Sequence, residues 1–112
     1  MISHLVLLRP RPDLSDAGRE RLIAAFERAL RDIPHIRGVR IGRRITHGAG
    51  YETHAPDLSY LVQLDFDDGV GLAAYLQHPA HAELGARFGD SLAGAIVYDF
   101  ESVGIEGLRT LR

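Results

Sequence analysis

The sequence contains no cysteine, no lysine, no tryptophan and no asparagine. Without cysteine there is no disulfide scaffold, no thiolate nucleophile and no Cys-based zinc or iron–sulfur site. Without lysine, Schiff-base chemistry and lysine-assisted phosphate transfer are excluded, and all 13 basic residues are arginines, which stay charged and cannot serve as bases. Positive charge is scarce as well. Against 15 carboxylates those arginines leave a formal charge of −2, with no basic field of the kind that drives nucleic-acid affinity. Long apolar runs are missing too. Met1–Leu8 is too short to span a bilayer, has no basic segment before it and no secretory cleavage pattern after it. A soluble cytoplasmic protein is expected, with neither nucleic acid nor membrane as partner.

What is there is a chain of 112 residues, the size of one domain. By the scaling of surface with mass, a compact monomer of this size exposes about 6,000 Å² and buries about two-thirds of its unfolded surface, enough for an unaided core. Ile2–Leu8 reads as a buried strand with apolar residues on both faces, ended by Arg9-Pro10-Arg11-Pro12. Leu22, Ala25, Phe26, Ala29, Leu30 and Ile33 recur at helical spacing, with Arg21, Glu27, Arg28 and Arg31 opposite them. Asp13 or Ser15 can cap that helix by accepting backbone N–H bonds, and Pro34 stops it.

Val39, Ile41 and Ile45 alternate with Arg40, Gly42 and Arg44 in a second strand, and Thr46–Asp57 reads as a long surface loop. Tyr60, Val62, Leu64 and Phe66 share one face of a third strand that ends at Asp67-Asp68-Gly69. Two helices follow, carried by Leu72, Tyr75 and Leu76 and by Leu84, Phe88 and Leu92, with Pro79 restarting the second after His78. Ala95–Val103 supplies a fourth strand. Residues 1–103 form the domain and residues 104–112 a loosely ordered tail.

The order βαβ then βααβ fits an α+β, ferredoxin-like, four-stranded antiparallel sheet with the helices on one face. With His4, Val6, Tyr60, Val62, Ile96, Tyr98 and Phe100 turned toward the helices, the other face still carries Leu5, Leu7, Leu61 and Val97. Burying such side chains is worth roughly 1.5–3 kcal/mol each before association entropy is subtracted, which points to a second sheet and a symmetric homodimer.

Tyr75-Leu76-Gln77-His78-Pro79-Ala80-His81 resembles the Y-x-x-H-P-x-H segment of the stress-responsive dimeric α/β-barrel family. His4-Leu5-Val6-Leu7-Leu8 is similar to that family's first strand, and Tyr60–Asp68 to its third strand and acidic turn. The resemblance extends over roughly residues 1–101 and implies a homodimeric α/β barrel, with a pocket between sheet and helices and no cofactor. In the family's plant polyketide-cyclase branch, the matching tyrosine and second histidine serve the cyclisation. Carried over, His81 would be the general base and Tyr75 the hydrogen-bond donor to a developing enolate. At the third-strand position where that branch has histidine, this chain has Tyr60.

Independently of the resemblance, His4 shares a strand face with Ile2, Val6 and Leu8, so its imidazole points inward as a base or a hydrogen-bond donor. His81 lies three residues before Leu84 and seven before Phe88, on the inward stripe of its helix. His4, Tyr60, Tyr75 and His81, walled by Val62, Leu84 and Phe88, are the expected lining of a site for a small hydrophobic or aromatic ligand. A metal reading of His78 and His81, with His47 or His54 completing the set, is disfavoured because Pro79 interrupts the helix and no inward carboxylate joins them. Two functions follow: a ligand-binding barrel without catalysis, and a cofactor-independent cyclase using His81, Tyr75 and His4.

Overall fold

A computed structural model describes residues 1–111. Four strands, β1 (Ile2–Pro10), β2 (Gly38–Arg43), β3 (Tyr60–Phe66) and β4 (Leu92–Glu101), form one sheet in the order β2-β3-β1-β4. Every neighbouring pair is antiparallel. Helices α1 (Asp16–Asp32), α2 (Gly69–Gln77) and α3 (Pro79–Ser91) connect them. The segment after Arg43 carries a short 3₁₀ turn at Gly50–His54, and a second, Ile105–Thr110, occupies the tail. Arg112 of that tail lies outside the described residues.

Local chemistry accounts for the helix ends. Ser15 Oγ accepts the Gly18 N–H at 3.0 Å, and Asp16 in the first turn suits the positive end of the α1 dipole. Asp68 Oδ1 accepts the Gly71 N–H at 3.1 Å to start α2. His78 is at once the last cap of α2 and the first cap of α3, its Nδ1 accepting from Ala80 N–H at 3.0 Å, with Pro79 in the first helical position where no N–H is needed.

Period-2 alternation puts His4, Val6 and Leu8 of β1 and Val62, Leu64 and Phe66 of β3 on the helix side, where all are buried. They meet Leu22, Ala25 and Ala29 from α1, Ile33 at its C-terminal cap, Tyr75 from α2 and Ala80 and Leu84 from α3. An Arg28–Glu83 ion pair links α1 to α3 at the surface.

On β4 the register corrects the expectation. Cross-strand partners share a face. His4 opposes Asp99, Val6 opposes Val97 and Leu8 opposes Ala95. The helix side of β4 is therefore Ala95, Val97, Asp99 and Glu101, while Ile96, Tyr98 and Phe100 join Leu7, Leu5 and Ser3 on the open side. The open face is thus more apolar than alternation alone suggested, because the larger β4 side chains lie there. Tyr98 and Phe100 stay 59% and 53% exposed. The molecule is a slab of 48 × 39 × 18 Å. Its accessible surface is 7705 Å², well above the about 6,000 Å² of a compact monomer of this mass.

Candidate active site

His4 is delivered to the interior by the central strand β1, and only 4% of it is exposed. Directly across the ladder on β4 stands Asp99, and Asp99 Oδ1 lies 2.6 Å from His4 Nδ1. An ionised carboxylate can only accept, so Nδ1 is the donor and Nε2 is left for the interior. Asp99 keeps 45% of its side chain in solvent, so the pair bridges the buried layer and the β4 edge.

Tyr75 comes from the inward side of α2. Its ring packs 5.3 Å from Phe66, 5.4 Å edge-on from His4 and 4.8 Å edge-on from His81. It therefore stands between the two imidazoles. With 2% exposure, its phenol is pushed up to about 12 by burial and further by the Asp99 charge, so it keeps its proton at neutral pH and is able to donate it in a hydrogen bond. His81, in the first turn of α3, is half-buried. Its pKa is held below the ordinary histidine value, first by desolvation and then by His4, against a hydrogen bond to the Leu76 backbone. A neutral His81 ring at pH 7 is a competent proton acceptor.

Of the residues expected to line the site, His4, Tyr75 and His81 come together. Val62 and Leu84 are buried in the adjoining core. Phe88 turns toward α1, 5.5 Å from Phe26. Tyr60 does not join them. It shares face parity with Val62, but β3 runs antiparallel to β1, so Tyr60 meets Leu8 while His4 meets Leu64. Four residues at about 3.3 Å each place Tyr60 near the far end of the strand. Tyr60 is 40% exposed there.

Sequence reasoning misses Asp99 because alternation by side-chain bulk faces β4 the wrong way. The signal that could have found it is His4 itself, since a buried imidazole needs a partner and the neighbouring strand must supply it. His78 spends its Nδ1 on the α3 cap, and His47 pairs with Tyr51 at 3.1 Å in the segment after β2.

Two clefts lie elsewhere. One, about 210 Å³, opens at the start of α1 and is lined by Arg11, Ser15, Arg21, Arg87 and Ser91 among others. The other, about 410 Å³, lies toward the open side of the sheet and is lined by Leu7, Leu58, Tyr60, Leu61, Ile96 and Tyr98 with Arg43 and Arg44. Neither reaches the His4–Tyr75–His81 cluster.

A sheet ordered β2-β3-β1-β4, with its helices on one face and a His–Asp–Tyr–His cluster beneath them, defines a ferredoxin-like α+β protein. Residues 2–102 match the Stress responsive A/B Barrel Domain, and the chain belongs to that family. It is 20% identical to olivetolic acid cyclase of Cannabis sativa over 99 residues, covering 88% of this chain and 94% of that protein. A dimeric ferredoxin-like protein of unknown function from Thermobifida fusca is 25% identical with a TM-score of 0.69, over 90% of each chain. The hydroxynitrile lyase of Passiflora edulis is 17% identical with a TM-score of 0.74, over 92% of this chain and 96% of that one.

Proposed function

We propose that the protein is a homodimeric barrel whose His4–Asp99–Tyr75–His81 cluster moves a proton on a small, largely apolar ligand without a cofactor. The observation that carries this reading is the 2.6 Å His4–Asp99 hydrogen bond beneath the helices. A carboxylate that orients an imidazole is the arrangement by which enzymes fix a tautomer and stabilise a transient imidazolium. Beside it, His81 takes the proton, and the Tyr75 hydroxyl donates to the oxyanion that forms, a phenol protonated at working pH being suited to that role. The names of two relatives, a cyclase and a hydroxynitrile lyase, denote reactions that a positioned base can drive. Entry is along the β4 edge, where Val97 and Asp99 are exposed.

Pairing is supported by the open-face row of Leu5, Leu7, Leu61, Ile96 and Tyr98, by the excess surface of the single chain, and by the dimeric relative at 25% identity. A second reading, ligand binding without reaction, is favoured by one fact: the cleft of about 410 Å³ lined by Leu7, Leu58, Leu61 and Ile96 lies away from the cluster.

Deuterium incorporation into a weak aromatic carbon acid such as phenylacetone, followed by NMR in D₂O, separates the two. The catalytic reading expects acceleration above buffer that His81→Gln removes while bound-ligand signals persist. Exchange equal to buffer, with binding retained in both proteins, establishes the binding-only reading instead.

A further inference from the structure

Beyond residues 2–102, which match the family, the chain keeps a defined local structure but an uncovered apolar side. The 3₁₀ turn at Ile105–Thr110 is closed by its own hydrogen bonds. Gly107 N–H donates to Gly104 O at 2.8 Å, Thr110 Oγ1 to Gly107 O at 2.8 Å and Leu111 N–H to Leu108 O at 3.0 Å. Gly107 lets the turn close tightly over Val103, with which an added Cβ would collide. A 3₁₀ helix has three residues per turn, so side chains at i and i+3 eclipse. Ile105 and Leu108 therefore form one ridge, continued at the same spacing by Leu111 at the cap. These three and Val103 are each more than half exposed. A lone exposed aliphatic is ordinary, but four within the nine residues 103–111 make a patch that calls for a partner surface.

A hollow of matching character lies at the other end of the sheet. The cleft of about 410 Å³ is walled by Leu7, Leu58, Leu61 and Ile96. Leu61, Leu7 and Ile96 are one register row of the open face, so the cleft is continuous with the surface on which a second copy packs. The tail of the same chain starts far from it. Glu101 pairs with Ile2 and Ser102 N–H donates to Met1 O at 2.9 Å, so the chain leaves the sheet five strand residues beyond Ile96, about 17 Å away.

Symmetry brings the two features together. A face-to-face homodimer has its twofold axis in the plane between the sheets. An axis along the strands sets tail end over tail end and cleft over cleft. An axis across the strands sets each tail end over the cleft end of the other copy, so that both apolar features are covered, twice. We infer that the Ile105–Leu108–Leu111 ridge of one subunit fills the Leu7–Leu61–Ile96 cleft of the other, a cleft completed only by a second copy. The inference rests on the open-face pairing proposed above and specifies its geometry. Filled in this way, the cleft is closed to small molecules, and the helix-side cluster is left as the place for a ligand.

Two measurements on the full chain test it. In protein refolded from an equal mixture of ¹³C-labelled and unlabelled chains, isotope-filtered NOE spectra should show contacts between the Leu108 methyls of one subunit and the Leu61 and Ile96 methyls of the other. By sedimentation equilibrium, Leu108→Asp should weaken the dimer at least tenfold with an unchanged circular dichroism spectrum, because Leu108 lies outside the core of its own subunit. Arg109→Gln, on the neighbouring row of the turn with Glu106, is the control and should pair as wild type does. A wild type that sediments as a monomer overturns this inference together with the open-face pairing. A dimer that Leu7→Asp breaks but Leu108→Asp does not, or one without intersubunit contacts from Leu108, overturns the tail exchange alone. None of these readouts depends on proton transfer at the histidine cluster.

Discussion

Asp99 stands directly opposite His4 in the β1–β4 ladder, and the 2.6 Å between Oδ1 and Nδ1 is a consequence of that register. Directly opposed residues of an antiparallel pair hold their Cβ atoms about 4.5–5.5 Å apart, so a short carboxylate and an imidazole on the same side must meet. Asp99→Asn keeps the shape but removes the charge that holds Nδ1 as donor. Because Asp99 is half in solvent, the expected stability loss is only about 1 kcal/mol. The sharper readout is local. The His4 Nδ1–H resonance should move upfield and exchange faster, the proposed proton transfer should slow at least tenfold, and Tyr75 should ionise at lower pH because Asp99 no longer opposes its phenolate.

Tyr75 makes a prediction for alkaline solution. Its phenol ionises near 10 when unfolded and at about 12 when folded, so the unfolded chain releases the proton first. The associated stability is fully present below pH 10 and is lost as pH rises from 10 through about 12. The two-unit shift corresponds to about 3 kcal/mol at its limit. Tyr75→Phe keeps the packing on Phe66 and removes this loss, so denaturant melts of the variant should fall less steeply with pH above 10. A spectrophotometric titration should lose its step near pH 12. Identical alkaline profiles for variant and wild type would remove the buried-phenol assignment.

His81 works in the other direction. Its folded pKa lies below the ordinary histidine value, so the unfolded chain binds the proton more readily. The corresponding stability is present above about pH 6.5 and is lost as pH falls through the folded value. His81→Gln should flatten thermal stability between pH 7 and 5 relative to wild type. If His81 is the acceptor, turnover must show an acidic limb with an apparent pKa below 6.5. That limb disappears with the residue.

How far the sequence carries is decided strand by strand. His4 and His81 are legible as inward-facing because His4 shares strand parity with Val6 and Leu8, and His81 shares a helical stripe with Leu84. The Ser15 cap and the His78–Pro79 restart are legible because the residue types have few other uses at those spacings. On β4 both alternating sets are plausible cores, and choosing the bulkier one faces the strand backwards and hides Asp99. Only the ladder to β1 resolves it. Tyr60 fails differently. Its parity is right, but position along the strand depends on antiparallel register, which alternation does not encode.

The open face yields the last prediction. Across β3, β1 and β4, Leu61, Leu7 and Ile96 form one register row, with Gln63, Leu5 and Tyr98 forming the next. Leu7 lies at the centre of this surface and outside the buried core. Leu7→Asp therefore leaves the helix-side packing untouched but would place a carboxylate between the two sheets of a pair. An uncompensated buried charge costs several kcal/mol, and each 1.4 kcal/mol is tenfold, so dimer dissociation should rise at least about 100-fold. Ile23→Asp, at an exposed position on α1, is the control and should leave assembly unchanged. Sedimentation equilibrium at micromolar protein, with circular dichroism to confirm the fold, reads the result. A wild type that sediments as a monomer, or a Leu7→Asp variant that pairs as tightly as wild type, would place the interface elsewhere or abolish it.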